Sequence, residues 1–236
     1  MAIPISKPMK IAIHQPNFLP WLGYFYKMAN CDFFILLDNV QYEKNGPTNR
    51  VKIKTPQGSI WLTLPVKRNF PQLINETELV DFSKQKEKII KTLSLNFQKA
   101  KYFNFLLPEL QKVLEKDWRY LSQLNIELIK LIKEKLKIKT KLEIASNYEV
   151  FGKGTDLLVN LCKTFNTDTY LSGQGGKNYQ EEEKFKSANI KLEYTDFIHP
   201  VYPQLWKDFI PGLSAIDLIF NCGPKSIDFL LNNKQI

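Results

Sequence analysis

The sequence contains two histidines, and the first, His14, ends the short apolar run KIAIH. Gln15, Asn17, Trp21 and Tyr24 follow it in a stretch punctuated by Pro16, Pro20 and Gly23. An imidazole titrates near neutral pH and can take a proton from an attacking group. The amide side chains supply donors and acceptors, and the two rings could stack on a sugar or a base. The prolines and the glycine fix the backbone and permit close approach. A hydrogen-bonded structural histidine is the plainer alternative. The setting gives His14 a catalytic reading as general base.

A second apolar run, DFFILLD, ends on Asp38, a residue placed to orient that base or to bind sugar hydroxyls. Gln41, Lys44, Asn49 and Arg50 come next, and arginine recurs only at positions 68 and 119. A guanidinium offers bidentate bonds to phosphate or carboxylate. An ordinary exposed loop would have similar residues, but Asn49 and Arg50 lead straight into the next apolar segment. The third stretch is YLSGQGGKNY, with Ser172, Gly173, Gly175, Gly176 and Lys177. Glycines ahead of a helix expose backbone N–H groups that can cradle phosphate. The spacing is neither GxxxxGK[ST] nor GxGxxG, and a strand-to-helix turn needing positive φ explains the glycines equally well. Near the end, Tyr202, Gln204 and Asn221, with His199 and Asp217, could close a site; packing explains Tyr202, Trp206 and Phe209 as readily.

The elements that must position these groups follow from hydrophobic period. KIAIH and DFFILLD (32–38) are expected as buried strands with a short helix in WLGYFYKMAN between them, the opening of an α/β unit. RVKIKT and SIWLTLPV around PQG read as a hairpin. From about Ser83, the expected N-cap, to Leu136 the spacing becomes helical, with the last stripe starting at Trp118. KLEIASNY, TYLSG and IKLEYTDF read as further strands with helices between them. The expected fold is therefore α/β, Rossmann-like, with a mostly parallel sheet. It is read as one domain over residues 1–236, with a mainly helical and structural insertion at about 83–136. His14, Asp38, Asn49 and Arg50 are expected at one cleft on the C-terminal edge of the sheet.

The chain has 236 residues and a net charge of +9, which invites a nucleic-acid partner. Lysine supplies most of that charge, alternating with glutamate in segments such as KQKEKIIK, so a lysine-rich surface accounts for it as well. Cys31, Cys162 and Cys222 are widely spaced among apolar residues, which suits reduced core thiols and offers no zinc site. No apolar stretch is long enough to span a membrane, and MAIPISKPMK lacks a secretory pattern, so the expected compartment is the cytoplasm.

Taken together, HQPNFLPWLGYF, DFFILLDNVQYEKNGPTNR, YLSGQGGKNY and YPQLW with LSAIDLIFNCG resemble the WbqC-like protein family. That resemblance, which covers nearly the whole chain, implies a part in making or decorating a nucleotide-linked sugar for O-antigen, lipopolysaccharide or another bacterial surface polysaccharide. It brings no assigned catalytic residue. The opening strand, turn and helix are also similar to nucleotidyltransferase-type folds with an HxGH motif. Here Tyr24 stands after Gly23 where the second histidine is needed, which puts nucleotidyl transfer in doubt. The reading reached is acyl or aminoacyl transfer to the amine of a nucleotide-linked amino sugar. His14 and Asp38 are the catalytic pair; Asn49, Arg50 and the Ser172–Lys177 loop hold the diphosphate. The donor is open, aminoacyl-tRNA included; no cofactor is named and no metal cluster is expected. A non-catalytic nucleotide-sugar or glycan-binding module, or an RNA-binding protein, are the alternatives.

Overall fold

A computed structural model describes residues 9–67, 69–206 and 208–231. In chain order the elements are β1 (Lys10–His14), α1 (Leu22–Ala29), β2 (Phe33–Leu36), β3 (Arg50–Thr55), β4 (Gly58–Thr63), α2 (Phe82–Phe97), α3 (Phe103–Glu115) and α4 (Leu121–Lys135). There follow β5 (Lys141–Ile144), α5 (Gly154–Thr164), β6 (Thr169–Ser172), α6 (Glu182–Ser187), β7 (Lys191–Tyr194), α7 (Ala215–Cys222) and α8 (Ser226–Leu231). Two compact units result. The first gathers the described residues up to His14 with Lys27–Leu37 and Lys139–Phe197; the second gathers Gln15–Tyr26, Asp38–Ile138 and the described residues from Ile198 onward.

The first unit is built on a five-stranded sheet in the order β5-β2-β1-β6-β7. Every pairing in it is parallel, with Ile11 of β1 opposite both Phe33 of β2 and Tyr170 of β6. Ile11, Ala12 and Ile13 are all buried, so β1 is covered on both faces, as an uninterrupted apolar run in a parallel sheet requires. The five strands, counted along the chain, lie in the order 3-2-1-4-5 of a doubly wound sheet, which makes this unit α/β and Rossmann-like. Its packing includes Tyr170 stacked on Phe185 at 5.1 Å and Phe165 between Phe33 and Tyr148.

In the second unit β3 and β4 form an antiparallel hairpin in register from Arg50–Thr63 to Thr55–Gly58. Thr55 Oγ1 closes the turn, donating to Gly58 O and accepting from Gln57 N. Helix α4 buries Leu121, Leu124, Leu128, Leu131 and Ile132, and α7 is buried on almost every side, with Phe220 stacked on Phe97 at 4.7 Å. Among the described residues no helix is long and apolar enough to cross a membrane.

Several expected boundaries move. The second strand stops at Leu36 rather than Asp38, and KLEIASNY leaves the sheet after Ile144 for a turn at Ala145–Asn147. Ser83 lies inside α2 rather than capping it. The residue before the helix is Asp81, in a left-handed conformation and without a side-chain cap bond. Trp118 precedes α4 and instead closes α3, its indole N–H donating to Val113 O at 2.8 Å.

Candidate functional site

In the first unit β1 and β6 are neighbours, and the chain builds outward from them in opposite directions. Their C-terminal ends therefore flank the switch point of the sheet, where open α/β sheets receive ligands. His14 ends β1 and Ser172 ends β6. His14 is half-buried, and its carbonyl accepts Leu37 N at 2.8 Å. Just before it, the buried Lys27 ammonium donates to Ile13 O at 2.9 Å and lies over the Phe34 ring. Burial pushes that ammonium down to about 8.

The loop after β6 forms a 3-10 turn over Gln174–Asn178. Its glycines are not explained by positive φ, since Gly173, Gly175 and Gly176 do not adopt it. Close approach accounts for Gly176: a Cβ there would meet Ser172 Oγ at 2.2 Å and Gln180 Oε1 at 2.6 Å. The Gly176 N–H is spent on Gly173 O, and Ser172 Oγ donates to that same carbonyl. Gly173 and Gly175 have open space where a Cβ would point, and Gly175 is exposed. The exposed Lys177 holds its ammonium over the Tyr194 ring at 4.9 Å, and Gln174 Nε2 donates to Thr195 O.

Asp38, Asn49 and Arg50 belong to the second unit. Asp38 is buried, with its carbonyl accepting from Asn75 N. Asn49 is also buried; its Nδ2 donates to Leu64 O at 2.9 Å and its Oδ1 has no partner. Gln41 and Lys44 are exposed, Gln15 is half-buried, and Tyr24 is buried with its hydroxyl donating to Gln15 O. Burial raises the Tyr24 phenol well above its ordinary value.

Arg50 opens instead onto a cleft of about 290 Å³ lined by Asn17, Phe18, Pro20, Trp21, Pro47, Val51, Lys52, Trp61 and Gly212. Alternate residues of a strand share a face, so Arg50 and Lys52 point the same way, and Trp61 stands opposite Lys52 on β4. Both cations lie over the Trp61 ring, at 4.4 Å and 5.2 Å from its centre. Two loops form the wall beyond the hairpin, and Asn125 of α4 binds them together. Its Nδ2 donates to Pro16 O at 2.8 Å and to Thr48 O at 2.7 Å, while Phe18 N donates to Pro47 O. Sequence reasoning missed Lys52, Trp61 and Asn125. The signal for Asn125 was a polar residue within the apolar stripe LSQLNIELIKLI; for Trp61 it was an indole on the exposed face of a hairpin.

The remaining expected residues gather in the second unit around the buried Tyr202 and Asp217, with Gln204 and Asn221 half-buried. Tyr202 donates to Asp217 Oδ1 at 3.0 Å, and Asn221 Nδ2 donates to Asp217 O at 2.8 Å. Asp217 Oδ2 is buried without a partner, and desolvation pushes the carboxyl up to about 6, opposed by the Tyr202 hydroxyl and the Lys54 charge. Gln204 accepts from Lys54 Nζ at 2.9 Å, and that ammonium also reaches the carbonyls of Trp206 and Asp208. Here Tyr202, Gln204 and Asn221 are knitted into the fold of residues 199–221.

The profile of the WbqC-like protein family matches residues 15–229. The chain belongs to the WbqC-like family. It is similar to "Uncharacterized protein Rv1507c" of Mycobacterium tuberculosis (strain ATCC 25618 / H37Rv), with 37% identity over 230 residues covering 96% of this chain and 99% of that protein. No solved structure matches. The WbqC-like match includes the β3–β4 hairpin, Asn125 and the loop after β6.

Proposed function

We propose that this WbqC-like protein transfers an acyl or aminoacyl group to the amine of a nucleotide-linked amino sugar in bacterial surface-polysaccharide synthesis. The observation that supports this reading is the placement of His14 and the Ser172–Lys177 loop at the C-terminal ends of the adjacent strands β1 and β6. In the transfer the sugar amine attacks the carbonyl carbon of the activated acyl group. An N–C bond forms, the amine proton passes to the His14 imidazole, and the bond to the leaving group breaks with its electron pair. The exposed Lys177 offers positive charge to a phosphorylated substrate, and Gly173 and Gly175 leave space beside it.

Incubation with nucleotide-linked amino sugars and either acyl thioesters or aminoacyl-tRNA, read by mass spectrometry, tests this directly. A product heavier by the acyl group, absent with His14→Gln, is the expected result. Binding without any product from the donor panel would instead favour a non-catalytic binding module. One observation favours that second reading: no histidine, cysteine or carboxylate lines the Arg50–Trp61 cleft.

A further inference from the structure

The cleft on the β3–β4 hairpin brings together two separate recognition chemistries. Arg50 Cζ lies over the Trp61 ring, with Lys52 over the same ring, and no carboxylate among the lining residues offsets the two charges. A guanidinium offers several N–H donors to an anion. The Arg50 Nε is buried without a hydrogen-bond partner. Asn17 lines the same cleft at 3% exposure, with its Oδ1 buried and unpartnered.

Trp21 supplies a flat apolar wall. It is 41% exposed, and the outer edge of its benzo ring sits where a Cβ on Gly23 would be, 2.3 Å from that position. The backbone around it is clamped as well. Trp21 bridges Ser214, Ala215 N donates to Pro20 O, and Ser214 Oγ donates to Leu19 O. A glycine under the indole thus seats a rigid ring at the cleft wall.

An anion and a flat ring on one small ligand describe a nucleotide. We propose that this cleft is a nucleoside-diphosphate subsite, with the base on Trp21 and the phosphates on Arg50 and Lys52. The inference rests on the nucleotide-linked reading above and deepens it. A volume of about 290 Å³ lies just under the roughly 300–1,000 Å³ of small-molecule pockets. A volume of this size suits the nucleotide end of such a substrate.

Calorimetric titration of the full chain with UDP, GDP, uridine and inorganic pyrophosphate tests the assignment. A nucleoside diphosphate should bind more tightly than pyrophosphate or uridine. Trp21→Ala should weaken the nucleoside diphosphate roughly tenfold, the scale of lost base stacking, and leave pyrophosphate unchanged. Trp21→Phe should restore most of the loss. Gly23→Ala, checked for folding by circular dichroism, should reproduce the Trp21→Ala pattern because its Cβ displaces the indole. Arg50→Gln should weaken nucleoside diphosphate and pyrophosphate alike. Equal affinity for pyrophosphate and nucleoside diphosphates, indifferent to Trp21, overturns the subsite and leaves the transferase reading standing if product still forms. Binding of single-stranded RNA without any nucleoside diphosphate, or binding of none of these probes, overturns both.

Discussion

The Arg50 guanidinium lies 4.4 Å from the centre of the Trp61 ring, on the neighbouring strand of one hairpin. This contact restrains a cation that would otherwise sweep through many rotamers. Trp61→Ala should therefore lower affinity for a nucleoside diphosphate by about 2- to 30-fold, the range of one cation–π contact. Trp61 is 51% exposed, so the melting temperature should scarcely move. Affinity unchanged by calorimetry would mean that the stack does not orient a binding group.

Asn125 carries the two loops beside that hairpin on one amide, bonded to Pro16 O and Thr48 O. Asn125→Ala leaves both carbonyls without this donor in a site where Asn125 itself is fully buried. The expected loss is about 2 kcal/mol or more in urea unfolding, and nucleotide affinity of the folded protein should fall with it. A loss below about 0.5 kcal/mol would contradict this role, since that is within the scatter of surface substitutions.

Two glycines of the loop after β6 should behave differently. Gly176→Ala drives a Cβ into Ser172 and Gln180 and should destabilise the fold by about 1–3 kcal/mol. Gly175→Ala meets nothing within 4 Å and should melt like the native chain. Any change in substrate affinity with Gly175→Val then reports a ligand contact rather than misfolding. Equal melting of the two alanine variants would contradict the packing account.

Asp217 sets a pH dependence. Its carboxyl is pushed from an ordinary 3.8 up to about 6, chiefly by burial. Between those values the folded state keeps a proton that the unfolded state has lost. The resulting stabilisation is fully present below about pH 4 and is lost as pH rises through about 6, up to about 3 kcal/mol in all. Asp217→Asn should flatten that part of the stability–pH curve while still accepting the Tyr202 hydroxyl. A curve of native shape in the variant would place the titration elsewhere.

Much of the fold was legible because the signals were local. KIAIH is apolar on both faces and becomes the central parallel strand over the same residues, and the PQG turn between RVKIKT and SIWLTLPV becomes the hairpin. Boundaries were less legible where side chains chose an unexpected partner, as when Trp118 closed α3 instead of opening α4. The cleft was half legible. Asn17, Trp21 and Arg50 stood out by type, but Lys52 and Trp61 read as ordinary strand residues. Only cross-strand register sets Trp61 opposite Lys52 and brings both cations over its ring. Asn125 was hidden because its partners are backbone carbonyls far away in sequence, which no periodicity records.

The proposed transfer has His14, at the C-terminal end of β1, take the amine proton. Single-turnover acyl transfer with His14→Gln, alongside titration of the same variant with the nucleotide-linked amino sugar, measures that role. Native-like substrate affinity with a transfer rate reduced by about 100-fold or more, the contribution of a positioned general base, is the expected result. A variant that transfers at the native rate overturns that role for His14.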